Sequence, residues 1–165
     1  MTKGACSFTG HRILSAGELP QINARLDEII GQLADRGIER YLLGGALGFD
    51  TLAAKAVLRQ RERNSRIELV MCLPCKSQEK YWPVGDKNTY FELLAAADET
   101  VYVSERYFTG CMAKRNLYMV ENSEICVAYL KRAGSGTGQT VRMARERGLE
   151  VANLYCFGYS EFSRV

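Results

Sequence analysis

Three short stretches of the chain carry residue types that could hold a negatively charged ligand, and each follows an apolar run. The richest is Gly134-Ser135-Gly136-Thr137-Gly138, with Thr140 close behind. Unpaired backbone N–H groups at the start of a helix, reinforced by the helix dipole, make a seat for a phosphate or another anion. Glycine suits such a seat because a side chain would hold the anion away from the backbone. Thr137 and Thr140 add hydroxyl donors, and Lys131 and Arg132 stand just upstream. The second stretch, Thr9-Gly10-His11-Arg12, joins a hydroxyl to two cationic donors. The third runs from Gly44 and Gly45 through Gly48 to Asp50. Each could instead be a tight surface turn without a ligand, and a lone glycine cluster does not separate the two readings. Repetition of the device in one chain favours the functional one.

Whether the stretches can act together depends on the elements that position them. Strand-length apolar runs at 3–8, 41–43, 67–73, 100–103, 125–130 and 151–154 alternate with helical patterns at 20–36, 88–97, 111–122 and 138–147, and with a helix capped by Asp50 or Thr51 that runs to about residue 61. In the first helix Ile22, Leu26, Ile29, Ile30 and Leu33 fall on one face, and Gly37 stops it. This order predicts an α/β fold: a three-layer α/β/α, Rossmann-like arrangement with a mostly parallel sheet of about six strands, in a single domain over 1–165. Right-handed crossovers place the loops after strands at one sheet edge. Ligands of such sheets bind at the carboxyl ends of the strands, near the reversal of strand order. All three stretches follow strands, so they should converge on one crevice. No G-x-G-x-x-G follows the first strand, so the usual dinucleotide fingerprint is missing.

At 165 residues, 47% hydrophobic and 25% charged, the chain has the composition of an ordinary globular domain. A dispersed net charge of +3 is too mild to argue for nucleic acid or a membrane surface. The first ten residues lack the apolar segment of a signal peptide, and no run reaches the ~20 apolar residues of a membrane span, so a cytoplasmic location is expected. Of the six cysteines, Cys6, Cys72, Cys126 and Cys156 fall in or beside expected strands and read as small apolar residues rather than disulfide partners. Cys72 and Cys75 form the one CxxC. A zinc site would need further ligands, and His11 is the sole histidine, so no metal is expected. A redox pair fits the spacing, although a polar loop follows where a helix would normally begin.

The segments SFTGHR at 7–12, GGALGFDTLAAKAVL at 44–58, LPCKSQEKYW at 73–82, MAKRNLYMVENSE at 112–124 and GSGTGQTV at 134–141 together span nearly the whole chain. In this order the sequence resembles the YpsA-like family of the SLOG superfamily, the Rossmann-like group that includes DprA/SMF proteins and the LOG phosphoribohydrolases. The resemblance implies a SLOG-type fold binding a nucleotide or a nucleotide-derived ligand. LOG enzymes cleave the bond between base and ribose phosphate with an arginine in a motif like MxxRK and a glutamate three residues after the threonine of PGGxGTxxE. Arg115, in Met112-Ala113-Lys114-Arg115-Asn116, matches the first motif. The second departs: three residues beyond Thr137 stands Thr140. Cleavage passes through a cationic sugar that needs a nearby carboxylate, and a threonine cannot supply one.

The phosphate seat without that carboxylate favours a binding module that senses or carries a nucleotide or ADP-ribose-like ligand and requires no cofactor. The alternative is a phosphoribohydrolase-type enzyme with Asp50 or Glu121 as acid or base and Arg115 beside it. Single-stranded DNA binding follows from the DprA kinship but is opposed by the mild charge, so nucleic acid is not the expected partner. Arg115 and Asn116 are read as contacts to phosphate or ribose. His11 could be a base, a phosphate donor or a structural donor, with phosphate or ribose contact favoured. Asp50 reads first as a helix cap and second as a ribose-hydroxyl acceptor. Gln78 is a further ligand candidate, and Trp82 could stack on a base or simply pack. Fold-level analogy, together with aromatic residues between 102 and 108, allows a homo-oligomer.

Overall fold

A computed structural model describes residues 3–155. Six strands form one sheet: β1 (Gly4–Gly10), β2 (Ile38–Leu43), β3 (Glu68–Leu73), β4 (Glu99–Tyr102), β5 (Ile125–Tyr129) and β6 (Glu150–Asn153). Their order is β4-β3-β2-β1-β5-β6, and every pairing is parallel. Five α-helices connect them: α1 (Leu19–Asp35), α2 (Phe49–Arg61), α3 (Val84–Ala96), α4 (Cys111–Glu121) and α5 (Gly136–Glu146). The order reverses between β1 and β5, so the turns leaving those two strands flank the opening where sheets of this class take their ligands.

Alternation along the strands divides the core into two layers. Cys6, Phe8, Tyr41, Leu43, Leu69, Met71 and Val127 face the layer built from α1, α2 and α3. Ala5, Leu42, Val70, Cys72, Cys126 and Ala128 face α4 and α5. The α1 stripe Ile22, Leu26, Ile29, Ile30 and Leu33 is buried in the first layer. Truncating a fully buried member such as Leu26 to alanine would cost ~2–5 kcal/mol.

Three helix starts differ from the sequence reading. Neither Asp50 nor Thr51 caps α2. Gly48, with a φ of 78°, is its N-cap, and Asp50 lies inside the first turn. A side chain at Gly48 would collide with the Arg12 carbonyl, so both the positive φ and the close approach of two loops require glycine there. Helix α3 begins at Val84, just after Pro83, rather than at 88; its first turn reads Val84-Gly85-Asp86-Lys87, which carries no apolar period. Helix α5 begins at Gly136 because Ser135 caps it, its hydroxyl accepting the Gly138 N–H at 3.1 Å. Expectations for Cys156 lie outside the described residues. No helix among the described residues is long and apolar enough to cross a membrane.

Candidate functional site

The carboxyl ends of β1, β2 and β5 open on a cavity of about 310 Å³. Thr9 and Gly10 enter it from the end of β1, His11 and Arg12 from the turn that follows, and Gly44, Ala46 and Asp50 from the turn after β2 and the start of α2. Arg132 and Ser135 come from the turn after β5, Gly136 and Thr137 from the start of α5, and Met112, Arg115 and Asn116 from α4. The three turns therefore share one crevice.

Arg115 organises the floor. It is only 4% exposed, and Nη1 donates to the carbonyls of Gly44 and, at 3.4 Å, Cys72. Nε donates to the Asn116 Oδ1 at 2.8 Å. Gly44 must lack a side chain for this: a Cβ would lie 2.6 Å from Arg115 Nη1, 2.8 Å from Cζ and 3.0 Å from Asp50 Oδ2. Burial lowers the Arg115 pKa, and the nearby Asp50 charge opposes that shift. Arg12 and Arg115 both point a guanidinium at the Met112 thioether, at 3.9 and 3.8 Å.

Asp50 is buried, and its Oδ2 accepts the Ala46 N–H at 3.2 Å. Burial pushes its carboxyl up to about 6; Arg115, the Ala46 N–H and Arg12 pull the other way. Since the lining carries three guanidinium groups against one carboxyl, the cavity favours an anion.

His11 acts as a strut. Its Nε2 accepts the backbone N–H of Lys131 at 2.8 Å, tying the turn after β1 to the turn after β5. That bond makes the ring neutral with its proton on Nδ1. Burial lowers the pKa of His11 first, and Arg132 and Lys131 lower it further. The ring is thus a structural acceptor on one side, and its other nitrogen is left as the donor; sequence reasoning weighed only donor roles and catalysis.

At the seat itself Gly136 and Thr137 occupy the first two positions of α5, where amides have no intrahelical partner. Gly138 lies behind them: a Cβ there would strike the Ala133 carbonyl, so this glycine lets the turn close.

Other expected site residues stand back from the cavity. Gly45, at a φ of 70°, packs on Leu73, Met71 and Tyr90, and Gly134 opens to solvent. Gln78 sits under the turn after β2, its Nε2 donating to the carbonyls of Gly44 and Gly45 at 3.4 and 3.5 Å. The Thr140 hydroxyl donates back to the Gly136 carbonyl at 3.2 Å, and its side chain lines a separate groove between α4 and α5. Trp82 packs edge-on against Tyr90, with ring centroids 5.1 Å apart. Glu121 closes α4 in a half-exposed ion pair with Arg147, so it is no candidate for the missing carboxylate. Burial pushes the Cys72 thiol up to about 12, and Cys75 is buried beside it. Sequence reasoning missed Phe8, Ala46, Met112 and Met119. Met112 stands three residues before Arg115, the spacing that puts two side chains on one helix face.

This arrangement can be set beside known proteins. An uncharacterized SPbeta prophage-derived protein, YoqJ of Bacillus subtilis strain 168, is 31% identical over 119 residues, 65% of this chain and 70% of its own. The solved structure of DNA processing protein A from Helicobacter pylori, which binds single-stranded DNA, superposes with a TM-score of 0.62 at 20% identity. That superposition covers 91% of this chain and 65% of the other, just under two thirds of its length. The molybdenum cofactor carrier protein of Chlamydomonas reinhardtii superposes with a TM-score of 0.55 at 20% identity, over 91% of this chain and 75% of that one. At these identities the structures establish the fold alone. The sequence model of the YspA SLOG family matches residues 15–149, and the chain belongs to that family.

Proposed function

We propose that this chain binds a phosphorylated nucleoside at the carboxyl edge of its sheet and acts as a sensor or carrier rather than as an enzyme. The observation that supports it is one cavity in which the free amides of Gly136 and Thr137 meet Arg12, Arg115 and Arg132. Amides at a helix start hold phosphate oxygens, and guanidinium groups complete the charge. A volume of about 310 Å³ lies at the small end of ligand cavities, ~300–1,000 Å³, which suits one nucleotide better than a dinucleotide. No cofactor is required, and a cytoplasmic setting would supply such ligands. Isothermal titration against AMP, ADP, ADP-ribose, NAD and adenosine tests the reading. Saturable binding of phosphorylated compounds with weaker binding of adenosine is expected, and no binding by any of them at millimolar concentration overturns it.

One observation favours a second reading. Asp50 lines the cavity together with Arg12 and Arg115, and burial pushes its carboxyl up to about 6, toward the range suited to proton transfer near neutral pH. Asp50 could then serve an N-glycosidic hydrolase in place of the carboxylate that Thr140 lacks. Incubation with nucleoside monophosphates and NAD, followed by chromatography, would release free base; intact substrate at high protein concentration rules this out. Single-stranded DNA is the weaker candidate, and a fluorescent oligonucleotide added to the same titration separates it.

A further inference from the structure

The phosphate reading leaves Asp50 unexplained. A dianionic phosphate offers only acceptors, and a carboxylate beside it repels it. Yet Asp50 lines the same cavity, at 7% exposure. Only one of its oxygens is accounted for, Oδ2, which accepts the Ala46 N–H. Among the described residues no hydrogen bond or ion pair engages Oδ1, and the residue lines the cavity. Arg115, the obvious partner, turns its Nη1 to the Gly44 and Cys72 carbonyls instead. Buried carboxylates are normally satisfied on both oxygens, because desolvation without compensation is costly.

We infer that Asp50 is the acceptor for a ribose hydroxyl of the bound nucleotide, and that the site discriminates ribonucleotides from deoxyribonucleotides. This rests on the reading that the cavity takes a phosphorylated nucleoside. The cavity holds both kinds of partner that such a ligand requires, with Arg115 and Arg12 close enough to act on the Asp50 charge. The amides at the start of α5, with Arg132, are donors suited to a phosphate. The start of α2 contributes the one pure acceptor. A ribose phosphate presents acceptors at one end and neighbouring hydroxyl donors a few bonds away, and a carboxylate oxygen takes such a donor in a charge-assisted hydrogen bond. Gly44 contributes by having no side chain, since a Cβ would press on Asp50 Oδ2 and on Arg115 together.

The test compares AMP, 2′-deoxy-AMP and 3′-deoxy-AMP by isothermal titration with the full chain, and repeats the comparison with Asp50→Asn. Loss of a hydrogen bond to a charged group predicts that at least one deoxy analogue binds wild type about 10- to 100-fold more weakly than AMP. In Asp50→Asn that ratio should fall toward one. Equal binding of all three by wild type overturns the inference while leaving the proposed function standing. A ratio unchanged by Asp50→Asn also overturns it, because the discrimination would then lie elsewhere. Failure of every nucleotide to bind is a failure of the proposed function itself. If Asp50→Asn does not fold, as judged by circular dichroism, the wild-type ratio alone decides.

Discussion

Gly44→Ala puts one methyl group into the most crowded point of the site. Its Cβ would stand 2.6 Å from Arg115 Nη1 and 2.8 Å from Cζ, inside any tolerable contact. Arg115 has no room to yield freely, because it is buried and held by two backbone carbonyls. Overpacking a filled core typically costs ~1–3 kcal/mol. Weakening hydrogen bonds from a buried charged donor adds a comparable amount, ~1.5–3 kcal/mol each. These are not independent, so a total of about 2–4 kcal/mol is expected. For a chain of this length each kcal/mol moves Tm by ~2–4 °C, which predicts a drop of about 4–16 °C in a thermal melt followed by circular dichroism. A double-mutant cycle identifies the cause. In an Arg115→Ala background the collision is gone, and Gly44→Ala should cost at least ~1 kcal/mol less than in wild type. If the two substitutions add within ~0.5 kcal/mol, the methyl group is not meeting Arg115 and the packing argument for the cavity floor is wrong.

Two titrations follow from the same geometry. The neutral, buried His11 should show an NMR pKa below the ordinary 6.5, and it is the only histidine to be assigned. Its native pKa is depressed, so the stability it contributes is present above 6.5 and is lost as pH falls; a native pKa of 6.5 or higher would contradict the acceptor role. Asp50 runs the opposite way, because its native carboxyl is raised from 3.8 to about 6. Its contribution is most favourable below 3.8 and is lost as pH rises through about 6. The stability of wild type minus that of Asp50→Asn, from urea unfolding, should therefore decline between pH 4 and 7 by on the order of 3 kcal/mol. A flat difference would show that the carboxyl is not desolvated.

Much of this site was legible in the sequence because each part announces itself locally. Apolar runs punctuated by glycine mark the strands and their turns, and strict strand–helix alternation allows only a parallel sheet with those turns at one edge. Side-chain direction was less legible. Arg115 reads as a contact to phosphate or ribose, yet it is buried with Nη1 turned onto backbone carbonyls, because the glycine at 44 leaves a hollow its guanidinium can fill. Glu121 lies six residues further along α4. At ~100° per residue that carries it about 120° around the axis from Arg115 and some 9 Å along it, away from the cavity. The same arithmetic, applied beforehand, would have set Glu121 aside. The Asp50 cap failed for a different reason. Gly48 can adopt a positive φ and start α2 two residues earlier, which turns the carboxylate inward onto the Ala46 amide. His11 as a backbone acceptor leaves no trace in sequence, because its donor, the Lys131 amide, is brought to it only by the pairing of β1 with β5.

The most direct test of the central claim is an amide-resolved NMR titration of the chain with AMP. If free amides at the start of α5 hold the phosphate, the Gly136 and Thr137 resonances should shift saturably, accompanied by the Arg115 Nε–H, while Gly134 outside the cavity moves least. Shifts that leave Gly136 and Thr137 in place, or none at millimolar AMP, would contradict the account.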